Sequence, residues 1–263
     1  MSRLPVEPDR ELGQHFLVDP NILRVIERMA ALDREDVVLE VGPGLGVLTR
    51  VLADRVRLVH AVELDRSLEP HLLEALEERT NVVLRFGDAL ALELAALAPP
   101  PSKLVSNLPY KIATPLIVES LDRLPTVELW CVMVQREVAD RLFASPSTKA
   151  YGAVSVLVQL ASERTGFHPV SRKVFRPQPN VDSALVAFRR TALPEDFARV
   201  KKMIAAAFAH RRKTLPNSVE LAGLAPRADA ARALASIGRP SADRRLPVPR
   251  SSPRSNTSLS PEH

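Results

Sequence analysis

The 263-residue chain contains a single cysteine, Cys131. One thiol excludes a disulfide framework and a thiolate metal cage. Its six histidines are scattered and never fall at metal-ligand spacing, so no metal is expected. Long apolar runs are also lacking: each is short and interrupted by Arg, Glu or Asp, which excludes a bilayer-spanning segment. Met1 to Glu11 carries no apolar run behind its charges and does not read as a secretory leader. No internal repeat is visible. These absences make a reducing cytoplasm the expected compartment. What remains, 46% hydrophobic and 25% charged residues, is the composition of an ordinary globular protein. The length favours one main domain with a smaller appendage.

Charge is unevenly placed. Residues 1–198 hold 23 Lys+Arg against 27 Asp+Glu, a net of −4, whereas residues 199–254 hold 13 against 3, a net of +10. A near-neutral body with a basic C-terminal part aimed at a polyanion fits this separation, and so does a solvated basic helix surface.

The first 190 residues alternate between two patterns. Val37–Val41, Leu58–Val62, Val82–Phe86, Lys103–Ser106 and Trp130–Val134 are short apolar runs, as buried parallel strands require. Between them lie amphipathic stretches: Pro20–Ala31, which opens with Asp19 as N-cap, Gly46–Asp54, Ser67–Glu78, Pro115–Leu124 and Glu137–Phe143. A helix at Tyr151–Ala161 and an antiparallel pair, Thr165–Val170 with Ser183–Arg190, complete the pattern. The sequence therefore predicts an α/β fold, a Rossmann-like sheet covered on both faces. Helices at Glu195–Ala209 and Ala225–Ile237 place a small C-terminal helical domain after residue 191. The predicted division is 1–191 an α/β body, 192–243 a small basic helical domain, and 244–263 a tail. That tail, with four Pro and five Ser in twenty residues, is too poor in apolar surface to order.

Glu40-Val41-Gly42-Pro43-Gly44-Leu45-Gly46 follows the first of these strands and opens a helix. Glycines there permit a tight turn and close approach of a ligand to the backbone. The third glycine comes one residue too early for a dinucleotide fingerprint, which argues against NAD. Glu63, at the end of the next strand, can accept both hydroxyls of a ribose, and Asp88 in Gly87-Asp88-Ala89 can accept from an adenine amine. Each alone is an ordinary cap or turn residue. At three neighbouring strand ends together, they form the pattern of an S-adenosylmethionine pocket.

Asn107-Leu108-Pro109-Tyr110 follows the fourth strand. A nucleobase amine is a poor nucleophile because its lone pair is delocalised into the ring. An Asn oxygen and a neighbouring carbonyl can accept both amine hydrogens and turn the lone pair toward a methyl sulfonium, while Tyr110 stacks on an extruded base. The bland alternative, an ordinary turn, is weakened by the motif's place directly after a strand.

These motifs, in this order, resemble the KsgA-type small-subunit rRNA adenine N6-dimethyltransferases over roughly residues 10–220. Gly13-Gln14-His15-Phe16-Leu17 is similar to the family's G-Q-N-F-L opening, Val38–Thr49 to its glycine motif, Gly87–Leu90 to its third motif and Asn107–Pro115 to its N-L-P-Y-x-x-x-x-P. Val174–Ala184 is similar to F-x-P-x-P-x-V-D-S-A, and Arg211-Arg212-Lys213-Thr214-Leu215 with Asn217 to R-R-K-T-L-x-N.

The resemblance implies a donor site of His15, Leu17, Gly42, Gly44, Gly46, Glu63, Asp88, Ala89 and Asn107. It implies that Asn107 and the Leu108 carbonyl receive the target amine, with Pro109 stiffening the loop. Tyr110 and Phe175 would sandwich the adenine; alone, Phe175 in a proline-rich loop reads as a packing residue. Arg211, Arg212 and Lys213 would contact RNA. The implied substrate is two adjacent adenines in a hairpin near the 3′ end of small-subunit rRNA, on a 30S assembly intermediate, with the enzyme a monomer needing neither metal nor membrane. The chain departs from the family at His15, where Asn is usual, and after Ala242, where an R-A-E-x-L-S helix is replaced by the Pro/Ser tail. The competing readings are a large-subunit rRNA adenine methylase conferring antibiotic resistance, a non-catalytic ribosome-assembly factor and a small-molecule methyltransferase. The first usually carries Ile at the position of Leu108 and lacks Pro115, the second should have lost Asn107, Tyr110 or Glu63, and the third would not need a basic C-terminal part.

Overall fold

A computed structural model describes residues 6–9, 12–210 and 213–240. The chain opens with β1 (Phe16–Leu17) and α1 (Pro20–Ala30), followed by β2 (Val37–Val41), α2 (Val47–Ala53), β3 (Leu58–Glu63), α3 (Glu69–Leu76) and β4 (Val82–Phe86). Next come β5 (Lys103–Asn107), α4 (Ala113–Arg123), β6 (Leu129–Gln135), α5 (Arg136–Leu142), α6 (Ala153–Ala161) and β7 (Ser162–Val170). Last are β8 (Phe175–Arg176), β9 (Ser183–Arg190), α7 (Phe197–Ala209), α8 (Leu215–Leu221) and α9 (Arg227–Ser236). Asp19 caps α1 by accepting from the Asn21 N–H at 2.8 Å, and Pro20 sits where its missing N–H costs nothing.

Seven strands form one sheet in the order β4-β3-β2-β5-β6-β9-β7. The first five are parallel; β9 runs antiparallel to both β6 and β7. Strand β6 shows why these strands read as unbroken apolar runs. Trp130, Val132 and Val134 enter the core under α4–α6, where Trp130 stacks on Phe188 with ring centroids 5.2 Å apart. Leu129, Cys131 and Met133 enter the opposite core under α1 and α2. Both faces are covered, so both must be apolar.

The strand order reverses at β2, which pairs with β3 on one side and β5 on the other. A crevice opens at the carboxyl ends of strands at such a switch point. Two elements escape the sequence pattern: the two-residue antiparallel ladder β1–β8, with Leu17 opposite Phe175, and the short helix α8, which carries Pro216. Helix α7 sends Phe197 and Ile204 into the α4–α6 core, and its Lys201 pairs with Glu119 at 3.0 Å and Asp122 at 3.7 Å on α4. Contacts then run from α7 to α8 and from α8 to α9. The expected division at residue 192 falls in the connection between β9 and α7, and the expected tail, 244–263, lies outside the described residues.

Candidate active site

Main-chain bonds tie the ends of β2 and β4 to β3, and the end of β5 to β6. The Gly42 N–H donates to the Val62 carbonyl at 2.8 Å, Gly87 to Glu63 at 2.8 Å and Leu108 to Met133 at 3.0 Å. The loops they anchor line one pocket, which collects Gly42, Gly44, Glu63, Asp88, Ala89 and Asn107. Leu108, Pro109, Tyr110, His15 and Leu17 line it as well.

Gly42, at φ +78°, lies so near the Asn107 loop that a Cβ there would meet Pro109 Cγ at 2.9 Å. Gly44, at φ +58°, faces the Phe16 ring, 3.0 Å from where its Cβ would be. Both positions need a left-handed backbone and lack room for a side chain, so each requires glycine on two counts. The glycine turn therefore seats the two loops that flank it, from the N-terminal motif and from the Asn107 motif.

Glu63 pins this turn. Its Oε2 accepts from the Gly44 N–H at 3.0 Å, and its Oε1 accepts from Leu64 at 2.8 Å and Asp65 at 3.0 Å. Burial nevertheless holds its carboxyl above the ordinary range, against the pull of those three bonds. Asp88 uses Oδ1 to cap its own turn through the Leu90 N–H at 2.9 Å. Gln14 donates to Asp65 at 2.6 Å and holds the N-terminal segment against the β3 end.

Asn107 donates through Nδ2 to the His15 main-chain carbonyl at 3.4 Å, an orientation that leaves Oδ1 as its acceptor. The Pro109 carbonyl is occupied by the Ile112 and Ala113 N–H groups, each at 3.1 Å, where α4 begins. The Leu108 carbonyl takes none of these bonds. Tyr110 shares a 2.8 Å hydrogen bond with Ser183 Oγ, and burial raises its phenol above the ordinary value. Since position 15 meets Asn107 through its main chain, the His-for-Asn departure spares that contact.

Two of the expected site residues are not among those that line the pocket. Phe175 is only 1% exposed and packs in the α1-side core with Leu17, its partner in the ladder, and it is not among the residues that line the pocket. Gly46 does not line the pocket. It opens α2 at φ +74°, with Ala75 and Leu72 of α3 at 3.4 Å from its absent Cβ, so it serves helix packing. Lys213 is exposed beyond α7, while Arg211 and Arg212 lie outside the described residues.

Glu40 went unassigned from sequence, though a charge inside the buried run Val37–Val41 was its signal. It is 1% exposed, it lines the pocket, and its Oε2 has no hydrogen-bond partner among the described residues. Burial, helped by the nearby Glu63 charge, pushes its carboxyl from the ordinary 4.5 up to about 8. Folded Glu40 is thus protonated where unfolded Glu40 is ionised, and the ionised form favours unfolding. Stability should fall as pH rises from about 4.5 to about 8, by a few kcal/mol in total. Glu40→Gln should lose that slope and melt above the parent at pH 8, while matching it near pH 4; parallel melting curves would refute the assignment.

The site's chemistry suits S-adenosylmethionine. Carboxylates at two strand ends, Glu63 and Asp88, line the pocket and can receive hydroxyl and amine hydrogens. Fold and pocket together define an α/β methyltransferase with a nucleobase-amine motif beside its donor site. Comparison with known proteins narrows this class. The family model for ribosomal RNA adenine dimethylase matches residues 8–237, and the chain belongs to that family.

Among its relatives, the ribosomal RNA small subunit methyltransferase A of Rubrobacter xylanophilus is 49% identical over 213 residues, covering 81% of this chain and 80% of the relative. The protein of the same name from Thermobifida fusca is 43% identical over 238 residues, covering 88% and 83%. Of solved structures, a dimethyladenosine transferase from Plasmodium falciparum superposes with a TM-score of 0.70 at 25% identity, covering 86% of this chain and 82% of its own. The 23S rRNA methyltransferase ErmE gives a TM-score of 0.62 at 32% identity, covering 87% and 92%.

Proposed function

We propose that this chain transfers methyl groups from S-adenosylmethionine to the N6 amines of two adjacent adenines near the 3′ end of small-subunit (16S) rRNA, giving N6,N6-dimethyladenine. The observation that carries the reading is the contact of the glycine turn with the Asn107 loop, where a Cβ on Gly42 would strike Pro109. Donor-binding turn and amine-binding motif form one unit across the switch point. Bound donor supplies an electrophilic methyl on a sulfonium. Asn107 Oδ1 and the Leu108 carbonyl accept the amine hydrogens, so the nitrogen lone pair is turned toward that methyl. Both acceptors tighten as positive charge grows on the nitrogen, which lowers the barrier without a strong base. As the N–CH3 bond forms the S–CH3 bond breaks, S-adenosylhomocysteine leaves as a neutral thioether, and the nitrogen then gives up one proton to solvent. Tyr110 offers a ring face to the extruded base.

The protein acts in the cytoplasm on a 30S assembly intermediate in this reading, with residues 192–243 as the RNA-binding part. No helix among the described residues is long and apolar enough to cross a membrane, and no group of His, Cys, Asp or Glu among them is disposed to hold a metal. Incubating the protein and labelled donor with under-methylated 30S and 50S particles tests the substrate: label in 16S rRNA is expected, and label in 23S rRNA would point to the resistance-type reaction. Neutralising Arg211, Arg212 and Lys213 together should weaken RNA binding and flatten its salt dependence, by a slope of about 0.7–0.9 for each phosphate no longer neutralised. An unchanged slope would make the cluster a solvated surface.

A further inference from the structure

The segment Val181–Ala184 takes no part in the mechanism above, yet its serine reaches the motif that does. Ser183 Oγ lies 2.8 Å from the Tyr110 hydroxyl. Tyr110 stands half-buried in the turn between β5 and α4, so neither strand nor helix geometry fixes its side chain. Burial raises its phenol above the ordinary value, so the hydroxyl keeps its proton and can donate. Ser183 is a rigid anchor by contrast. It is 1% exposed and opens β9, opposite Gln135 of β6 on one side and Val170 of β7 on the other. The residue before it is held as well. The Asp182 carboxylate accepts from the Arg172 N–H at 3.0 Å and from its Nε at 3.2 Å, and the Asp182 carbonyl accepts from the Arg136 N–H at 2.9 Å. A ring on a turn is thus tied at its far end to the interior of the sheet.

We propose that Ser183 is a positioning residue for methyl transfer, which acts by fixing the Tyr110 ring where the extruded adenine stacks. This rests on the functional reading above. A tyrosine ring is placed by two side-chain torsions, and a hydrogen bond at its para oxygen constrains both. A base that meets a ring already in place need not order that side chain as it docks. The hydroxyl adds no stacking area, since phenylalanine offers the same ring face; its part here is the tether to Ser183. Phosphate contacts carry much of the affinity for RNA, whereas extrusion and docking of the base follow. Loss of the tether therefore belongs in the rate at saturating particles, not in the particle concentration needed to reach it.

A double-mutant cycle tests this, with the parent, Ser183→Ala, Tyr110→Phe and the double variant in single-turnover methylation of under-methylated 30S particles. Loss of one neutral hydrogen bond corresponds to about 2- to 12-fold. Each single variant should slow the reaction at saturating particles within that range, and the double variant should be no slower than the slower single. The half-saturating particle concentration, and S-adenosylmethionine affinity by calorimetry, should match the parent's throughout. Losses that multiply in the double variant would assign Ser183 to the sheet alone and overturn the proposal. A parent-like rate in either single variant would do the same, as would a donor affinity that falls with the rate in folded Ser183→Ala. If Ser183→Ala does not fold, Tyr110→Phe removes the same bond from the pocket side and decides alone: a slowed rate with unchanged donor affinity supports the tether, and a parent-like rate overturns it. A parent that methylates no adenine would overturn the functional reading itself, whereas methylation by the parent with any other failure overturns the positioning role alone.

Discussion

Replacing Asn107 with Ala is expected to slow methyl transfer by about 10²–10³-fold, the usual cost of removing one preorganised hydrogen bond to developing charge. The side chain stands at the end of β5, and its Nδ2 is held by the His15 carbonyl at 3.4 Å, so its oxygen is aimed before substrate arrives. That orientation is fixed in advance, and an acceptor set in place by folding does not reorganise during the reaction. The Leu108 carbonyl survives the substitution and keeps one of the two acceptors, which is why a residual rate is expected. Single-turnover methylation of 30S particles reads the effect. A rate within threefold of the parent would remove Asn107 from the chemistry.

Glu63→Ala is expected to weaken S-adenosylmethionine binding by at least about tenfold, because hydrogen bonds to a charged group contribute about 1.5–3 kcal/mol each. Two losses combine. The carboxylate would receive ribose hydroxyls, and it already receives the Gly44, Leu64 and Asp65 N–H groups that shape the turn. Without it the Gly44 amide loses its partner and the glycine turn loosens, so part of the lost affinity comes from the turn rather than from direct contact. Calorimetry on the folded variant decides the matter: affinity equal to the parent's would place the ribose elsewhere.

Much of this architecture was legible from sequence because buried parallel strands are apolar throughout. Val37–Val41, buried along its whole length, carries that signal, while Val82–Phe86, at the sheet edge and only partly buried, still reads over its observed length. The ladder of Phe16–Leu17 with Phe175–Arg176 was not legible, since two-residue strands show no periodicity and their partner is distant in sequence. The same ladder buries Phe175: the motif identified the residue, but its packing beside Leu17 depends on a pairing that the sequence does not display. The packing of Gly46 was hidden for a similar reason, because its close neighbours Leu72 and Ala75 belong to another helix. Glycine patterns mark where a side chain is excluded without saying whether ligand or protein fills the space. Glu40 shows the converse case, in which one charge within an apolar strand was a visible anomaly whose burial only the fold establishes.

The central claim is that the pocket between the Gly42 turn and the Asn107 loop dimethylates adenine in small-subunit rRNA. The most direct measurement digests the rRNA of under-methylated 30S particles after reaction with the protein and donor, identifies the modified nucleosides by mass, and maps their positions. The account predicts N6,N6-dimethyladenine at two adjacent positions in a hairpin near the 3′ end of 16S rRNA. Methyl groups on another base or in another RNA, or none at all with a donor-binding protein, would contradict it.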